Sequence, residues 1–247
     1  MAALRPRVAA VIPTLNEEAA IAGVIAAIPR DLVGDIIVAD SGSGDRTCAR
    51  ARAAGARIVS ETRHGYGRAC RAGAEAAVGC EILVFLDGDG SDCPELIPDL
   101  VAPIIAGEAD FVIGSRTSGR RETGSMSWHQ ILAGRAIGAA IGRLYGVSYT
   151  DMGPMRAIRR EALLRLGMRE MTYGWNLEMQ MRAARAGLRV REVPVAHRRR
   201  AGGVSKVSGS LRGTVRAGSR ILMTFALVAF GRSRPPEAAA PVRGIPV

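Results

Sequence analysis

The sequence predicts an α/β fold with a mostly parallel central sheet flanked by helices, and three observations predict it. Short apolar runs alternate with helix-like segments over the first half of the chain. A polar cluster directly follows four of those runs. The 247 residues are 48% hydrophobic, enough to build one large domain around a full core.

Val8 to Ile12 is an apolar run closed by Pro13 and reads as a buried strand. Asn16 is placed to cap the next helix, with Glu17 and Glu18 in its first turn beside the positive helix end. Ile21, Val24, Ile25 and Ile28 give that helix one apolar face, and Pro29 ends it. Ile36 to Ala39 is a second strand, and the polar turn from Asp40 to Asp45 leads into a helix near Thr47. Arg57 to Val59 is a third strand, followed by a Gly- and Ala-rich helix over Tyr66 to Val78. Ile82 to Leu86 is a buried strand that runs straight into Asp87. Pro94 starts another helix, and Phe111 to Ile113 is a strand ending in Gly114-Ser115-Arg116.

The second half is less regular. Ser118 to Ser127 reads as a polar, mobile loop. Trp128 to Leu144 and Trp175 to Ala186 read as helices, and Val190 to Val195 as a strand interrupted at Pro194. The domain expectation is one unit over 1–230, with 198–230 a basic amphipathic segment and 231–247 a disordered tail rich in Pro and Ala.

In a sheet of this type, ligands bind beyond the carboxyl ends of the strands. Thr14-Asn16-Glu17, Asp40-Ser41, Asp87-Asp89 and Ser115-Arg116 each follow a strand, so all four gather on one edge. Asp87-Gly88-Asp89 places two hard oxygen donors around a glycine that lets the backbone turn. Such a pair suits Mg²⁺ or Mn²⁺ shared with substrate phosphates. The turn after the first strand is Pro13-Thr14-Leu15-Asn16-Glu17, not the glycine fingerprint of dinucleotide-binding folds, and the glycine-rich Walker sequence is absent. A dehydrogenase or P-loop ATPase is thereby excluded.

The formal net charge of +11 suggests a polyanionic partner: nucleic acid, an anionic membrane surface or phosphorylated substrates. The basic stretch lacks interleaved aromatics, which argues against nucleic acid. No acidic residue lies between His197 and Pro236, and Arg212, Arg216 and Arg220 recur every four residues beside an apolar stripe. That pattern reads either as a helix lying on an anionic membrane or as one packed on the domain with a solvated basic face. Ile221 to Phe230 is too short an apolar run to cross a bilayer, and no signal-like stretch precedes Pro13. Four cysteines without C-x-x-C spacing read as free thiols of a reducing cytosol. The expected location is cytoplasmic, with peripheral attachment to the inner face of the cell membrane.

A resemblance then emerges from motifs in order. V-I-P-T-L-N-E-E (11–18), V-A-D-S-G-S-G-D-R-T (38–47), F-L-D-G-D (85–89) and I-G-S-R (113–116) resemble those of family 2 glycosyltransferases. D-M-G-P-M-R-A-I (151–158), Y-G-W-N-L-E-M-Q (173–180), E-V-P-V (192–195) and R-R-R-A-G-G-V-S-K (198–206) look like the dolichyl- and polyprenyl-phosphate sugar synthase branch. The resemblance implies a GT-A fold, in which Pro13, Thr14, Glu17, Asp40 and Ser41 hold the nucleotide-sugar and Asp87 and Asp89 bind metal and diphosphate. It implies an inverting, metal-dependent hexosyl transfer from a UDP- or GDP-sugar to a polyprenyl phosphate.

For a phosphate acceptor, Arg116, Arg135, Arg200 and Lys206 are the candidate cations. A hydroxyl acceptor instead requires a base, for which Asp151 and Glu178 are the candidates. The alternatives are the same fold acting on a soluble small-molecule or glycan hydroxyl, and a non-catalytic nucleotide-binding or membrane-docking protein. The chain departs from the synthases at Ser91, where Gln is usual, and at Met152-Gly153-Pro154-Met155-Arg156, where they read S-G-F-R. His64, His129 and His197 lack the spacing of a catalytic pair.

Overall fold

A computed structural model describes residues 6–202 and 211–231. Seven strands form one sheet in the order β3-β2-β1-β4-β6-β5-β7. They are β1 (Val8–Thr14), β2 (Val33–Asp40), β3 (Arg57–Ser60), β4 (Ile82–Phe85), β5 (Phe111–Ser115), β6 (Arg156–Arg159) and β7 (Val190–Pro194). Pairing is parallel except at β6, which runs antiparallel to both β4 and β5. The sheet is therefore mostly parallel and carries helices on its faces, as expected.

All seven residues of β1 are buried, because both faces of the sheet are covered. Side chains alternate between the two faces. Val8, Ala10 and Ile12 enter the core that includes α1 (Ile21–Ala26) and α4 (Ile97–Ile105). Ala9 and Val11 enter the core built with α3 (Tyr66–Ala76), α6 (Arg160–Leu166) and α7 (Trp175–Arg185). Gly73 of α3 lies so close to the sheet that a Cβ there would stand 2.4 Å from Val11 Cγ1. The helix can pack at that depth only with glycine at the contact.

The remaining helices are α2 (Thr47–Ala53), α5 (Trp128–Tyr145) and α8 (Leu211–Phe230). Ser127 and Gln130 form a capping box on α5, and Gly146, in the left-handed region, closes it. In α8, Thr224 and Val228 are buried, and Ile221 and Phe225 pack partly against the domain. Arg220 turns inward to Glu170, with Nε 3.0 Å from Oε2, so it does not belong to a freely solvated basic face. Leu222, Met223 and Leu227 of the same helix point outward.

Three sequence expectations change. Asn16 does not cap a helix: α1 begins at Ile21 after Ala20, with no side-chain cap. Asn16 instead adopts φ 54°, accepts a hydrogen bond from Gly44 N at 2.9 Å and donates its own N–H to Ser43 Oγ. It thereby ties the exit of β1 to the exit of β2. Strand β6 was hidden in sequence because arginines stand at both of its ends. Pro194 ends β7 rather than interrupting it; β7 is an edge strand, where a missing N–H costs little. Residues 118–127 form turns with a bridge from Arg121 to His197. Lys206 and the tail beyond 231 lie outside the described residues.

Candidate active site

The sheet order reverses its direction of growth at β1: β2 lies on one side of it and β4 on the other. The loops that leave β1 and β4 consequently diverge and open a crevice at the carboxyl edge. A cavity of about 780 Å³ occupies that crevice. Pro13, Thr14 and Glu17 line it after β1, Ser41 after β2, Asp87 and Asp89 after β4, and Arg116 after β5. Arg200 closes it from the segment that follows β7.

Asp40 stands just behind this wall. Its carboxylate accepts hydrogen bonds from Gly42 N at 3.0 Å and Ser43 N at 2.9 Å, with Thr14 Oγ1 at 3.5 Å. It holds the β2 exit loop in shape and ties that loop to Thr14.

Asp89 is held on both oxygens. Ser91 donates to Oδ1 through its N–H at 2.8 Å and its hydroxyl at 2.6 Å, while Arg200 Nη1 lies 2.7 Å from Oδ2. Ser91, at the position where the synthases usually carry Gln, thus orients the Asp89 carboxylate through two hydrogen bonds. Asp87 accepts a hydrogen bond from Tyr66 Oη at 3.2 Å. Burial, followed by the charges of Asp92 and Asp89, pushes the Asp87 carboxyl well above its ordinary value.

Asp92 completes the acidic group and was not singled out in sequence. It accepts the Asp87 N–H at 2.8 Å and is 2% exposed. Its carboxyl is raised to about 7, chiefly by burial. The D-x-D-x-x-D spacing was the available signal, but Asp92 beside Cys93-Pro94 reads as a turn.

Among the described residues, no three His, Cys, Asp or Glu side chains surround one ion position. Asp87 and Asp89 nevertheless fit a hard divalent cation. They are hard oxygen donors that both line the cavity, two residues apart in sequence, with Asp92 directly behind Asp87. An ion on two carboxylates would complete its shell with phosphate oxygens and water.

Arg116, which also lines the cavity, pairs with Asp151 across two hydrogen bonds, at 2.7 and 2.9 Å. Burial raises the Asp151 carboxyl, but the hydrogen bonds and charge of Arg116 outweigh it and leave the group below its ordinary value. Asp151 is therefore an ionised partner that aims Arg116. His197 also lines the cavity, 3.9 Å from Asp92, and burial lowers it to about 4, so the imidazole is neutral at pH 7.

Two sequence-predicted residues are not brought to this cavity. Glu178 is buried beneath the 169–170 turn, accepting the N–H groups of Arg169 at 2.9 Å and Glu170 at 2.6 Å and pairing with Arg182 at 2.7 Å. Arg135 lies on a separate cavity of about 310 Å³ beside Thr117 and Thr150. One further functional candidate was missed: Arg156, fully buried, donates to the carbonyls of Gly153, Pro154 and Asn176. Pro154 and Asn176 line the cavity, so this one cation holds two of its wall segments together. In sequence it stood within the 151–158 motif, as the last residue of Met152-Gly153-Pro154-Met155-Arg156, with no role assigned to it.

Comparison with known proteins adds independent findings. Residues 9–167 match the model of Glycosyl transferase family 2. An uncharacterized glycosyltransferase of Mycobacterium tuberculosis is 41% identical over 213 residues, which is 84% of this chain and 93% of that protein. An undecaprenyl-phosphate mannosyltransferase of Micrococcus luteus is 34% identical over 227 residues, 84% of this chain and 90% of its own. Among solved structures, the glucosyl-3-phosphoglycerate synthase of M. tuberculosis, in complex with Mn²⁺, UDP-glucose and phosphoglyceric acid, superposes with a TM-score of 0.75. It is 29% identical, and the match covers 91% of this chain and 80% of that one.

Proposed function

This chain belongs to glycosyltransferase family 2, and from that membership and the cavity's charge arrangement we propose that it is an inverting hexosyltransferase. The donor is a UDP- or GDP-sugar, and the acceptor is a polyprenyl phosphate at the cytoplasmic face of the membrane.

The observation that carries the acceptor reading is the group of arginines that line the cavity beside the acidic pair. Arg116 and Arg200 line it together with Asp87 and Asp89, and Arg198 and Arg199 add two further cations. Asp151 and Glu178, the carboxylates that a hydroxyl acceptor would need as a base, are both committed elsewhere, to Arg116 and to the 169–170 turn. A phosphate monoester has a second pKa of about 6, is mostly a dianion at pH 7 and needs no base. It needs cations to hold it, and the cavity supplies them. The name of the M. luteus relative supports a lipid-phosphate acceptor.

In this reading Thr14, Glu17 and Ser41 hold the nucleoside, with Asp40 shaping the loop around it. Asp87 and Asp89 would hold Mg²⁺ or Mn²⁺, which supplies positive charge to the leaving diphosphate. The Mn²⁺ and UDP-glucose in the M. tuberculosis neighbour support that assignment. Arg116, aimed by Asp151, positions the acceptor phosphate. One of its oxygens attacks the anomeric carbon from the face opposite the diphosphate. The bond from that carbon to the diphosphate oxygen breaks, and the nucleoside diphosphate leaves with the electron pair.

Attachment to the membrane belongs to the same proposal. Among the described residues, no helix is long and apolar enough to cross a membrane. Trp128 of α5, with Leu222 and Phe230 of α8, are 75%, 69% and 79% exposed, on helices that also contribute Gln130 and Ile221 to the cavity. Apolar side chains beside an arginine-lined opening suit a lipid surface.

A second reading is the same fold with a soluble acceptor. It is favoured by the phosphoglyceric acid in the neighbouring complex, whose phosphate the same arginines would also suit. The deciding experiment screens UDP- and GDP-sugars with Mg²⁺ or Mn²⁺, each with a polyprenyl phosphate, with phosphoglycerate, or alone. Transfer that appears only with the prenyl phosphate is expected; transfer to phosphoglycerate without lipid overturns the acceptor assignment.

A further inference from the structure

Arg200 is already committed at the donor side of the cavity. Its Nη1 lies 2.7 Å from Asp89 Oδ2, and its Nη2 donates to the two Glu17 oxygens at 2.9 and 3.1 Å. One guanidinium therefore bridges carboxylates from the exits of β1 and β4, the two loops between which the crevice opens. Because Ser91 occupies Asp89 Oδ1 twice, Oδ2 is the oxygen left to a cation, and Arg200 holds it. Its Nε is buried and has no hydrogen-bond partner among the described residues.

The main chain around Arg200 is tied down. Arg198 N donates to Ser91 O at 2.8 Å and Ala201 N to Asp89 O at 3.0 Å. Only the side chain is free to exchange partners. A divalent ion arriving at Asp89 Oδ2 competes with the guanidinium for the same oxygen and repels it at short range.

We propose that Arg200 is a positioning residue that serves as the resident counter-ion of the empty donor site and is expelled by the donor's metal ion. It then turns to the acceptor phosphate, so that donor binding prepares acceptor binding. This inference rests on the metal-dependent, phosphate-acceptor reading above. The metal ion takes over the Asp89 pair, and the turn toward phosphate also exchanges the Glu17 contacts of Arg200 for the acceptor's oxygens.

The test is a titration with Mn²⁺ alone, reading free ion by its electron paramagnetic resonance signal, on the wild-type chain, Arg200→Ala and Arg200→Lys. Each is run with and without farnesyl phosphate as a short prenyl phosphate. Arg200→Ala is expected to bind Mn²⁺ on the order of tenfold more tightly than wild type, the scale of one lost charge-assisted hydrogen bond. Arg200→Lys, which keeps the charge without the fork, falls between the two and carries the test if the alanine variant does not fold. In wild type, farnesyl phosphate and Mn²⁺ strengthen each other's binding by the same factor, and that mutual effect shrinks in Arg200→Ala. Equal or weaker Mn²⁺ binding by Arg200→Ala overturns the counter-ion role. Tighter Mn²⁺ binding with farnesyl phosphate bound but uncoupled to Mn²⁺ overturns the transfer to phosphate alone, whereas no heat of farnesyl phosphate binding in calorimetry, with or without Mn²⁺, overturns the acceptor reading.

Discussion

The carboxylate of Asp151 grips the Arg116 guanidinium in two parallel hydrogen bonds and also accepts the Arg116 main-chain N–H at 3.0 Å. Three bonds from one carboxylate leave the arginine a single orientation, facing the cavity. Asp151 is 3% exposed, so removing it strands a largely buried cation.

Asp151→Asn should therefore cost about 3 kcal/mol of stability and lower kcat/KM for the acceptor by roughly tenfold or more. Urea unfolding and steady-state kinetics measure the two effects. A variant that keeps full acceptor kinetics would contradict the aiming role of Asp151.

The same pair sets an acid limit. The folded-state value of Asp151 is depressed, so its stabilisation is complete above the unfolded-state value of about 4 and is lost as pH falls through the folded value. Thermal melts of wild type should steepen in their decline below pH 4, and Asp151→Asn should lack that part of the decline.

Asp89→Asn retains most of the shape but loses the charge that a metal ion requires. Transfer should fall about 10²- to 10³-fold, and wild type treated with a chelator should show a comparable loss that added Mn²⁺ reverses. Circular dichroism unchanged from wild type would assign the loss to the site rather than to folding.

Glu178→Gln separates stability from catalysis. The side chain accepts two buried N–H groups and pairs with Arg182, all away from the cavity. We expect destabilisation of about 1–3 kcal/mol with kcat per folded molecule unchanged. A specific loss of kcat in fully folded protein would restore Glu178 as a catalytic candidate.

Glycine substitutions test packing with opposite signs. Gly138→Ala in α5 would place a Cβ 1.9 Å from Tyr149 O, so it should unfold or strongly destabilise the chain. Gly23→Ala in α1 meets nothing within 4 Å and should stabilise by about 0.5–1 kcal/mol. Melting temperatures of the two variants provide the check.

Much of the fold was legible because its signals are local. Apolar runs bounded by Pro, Gly and polar clusters mark β1, β2, β4 and β5, and a buried parallel sheet leaves no other reading of them. Strand β6 was not legible: it is four residues long, and its pairing partners lie far upstream, as in Val84 to Ala157 and Val112 to Ala157, which are 73 and 45 apart.

By itself the sequence determined which residues leave the strands at the carboxyl edge, and so placed Thr14, Glu17, Asp87, Asp89 and Arg116 on one cavity. Strand direction alone forces that convergence. Only the tertiary structure decided who holds whom. Arg200 reaches Asp89 and Glu17 across more than a hundred residues of chain, Asp151 aims Arg116, and Glu178 turns away beneath a loop. A side chain's partner depends on angles and distances accumulated over the whole chain between them, and no spacing along the sequence encodes that sum.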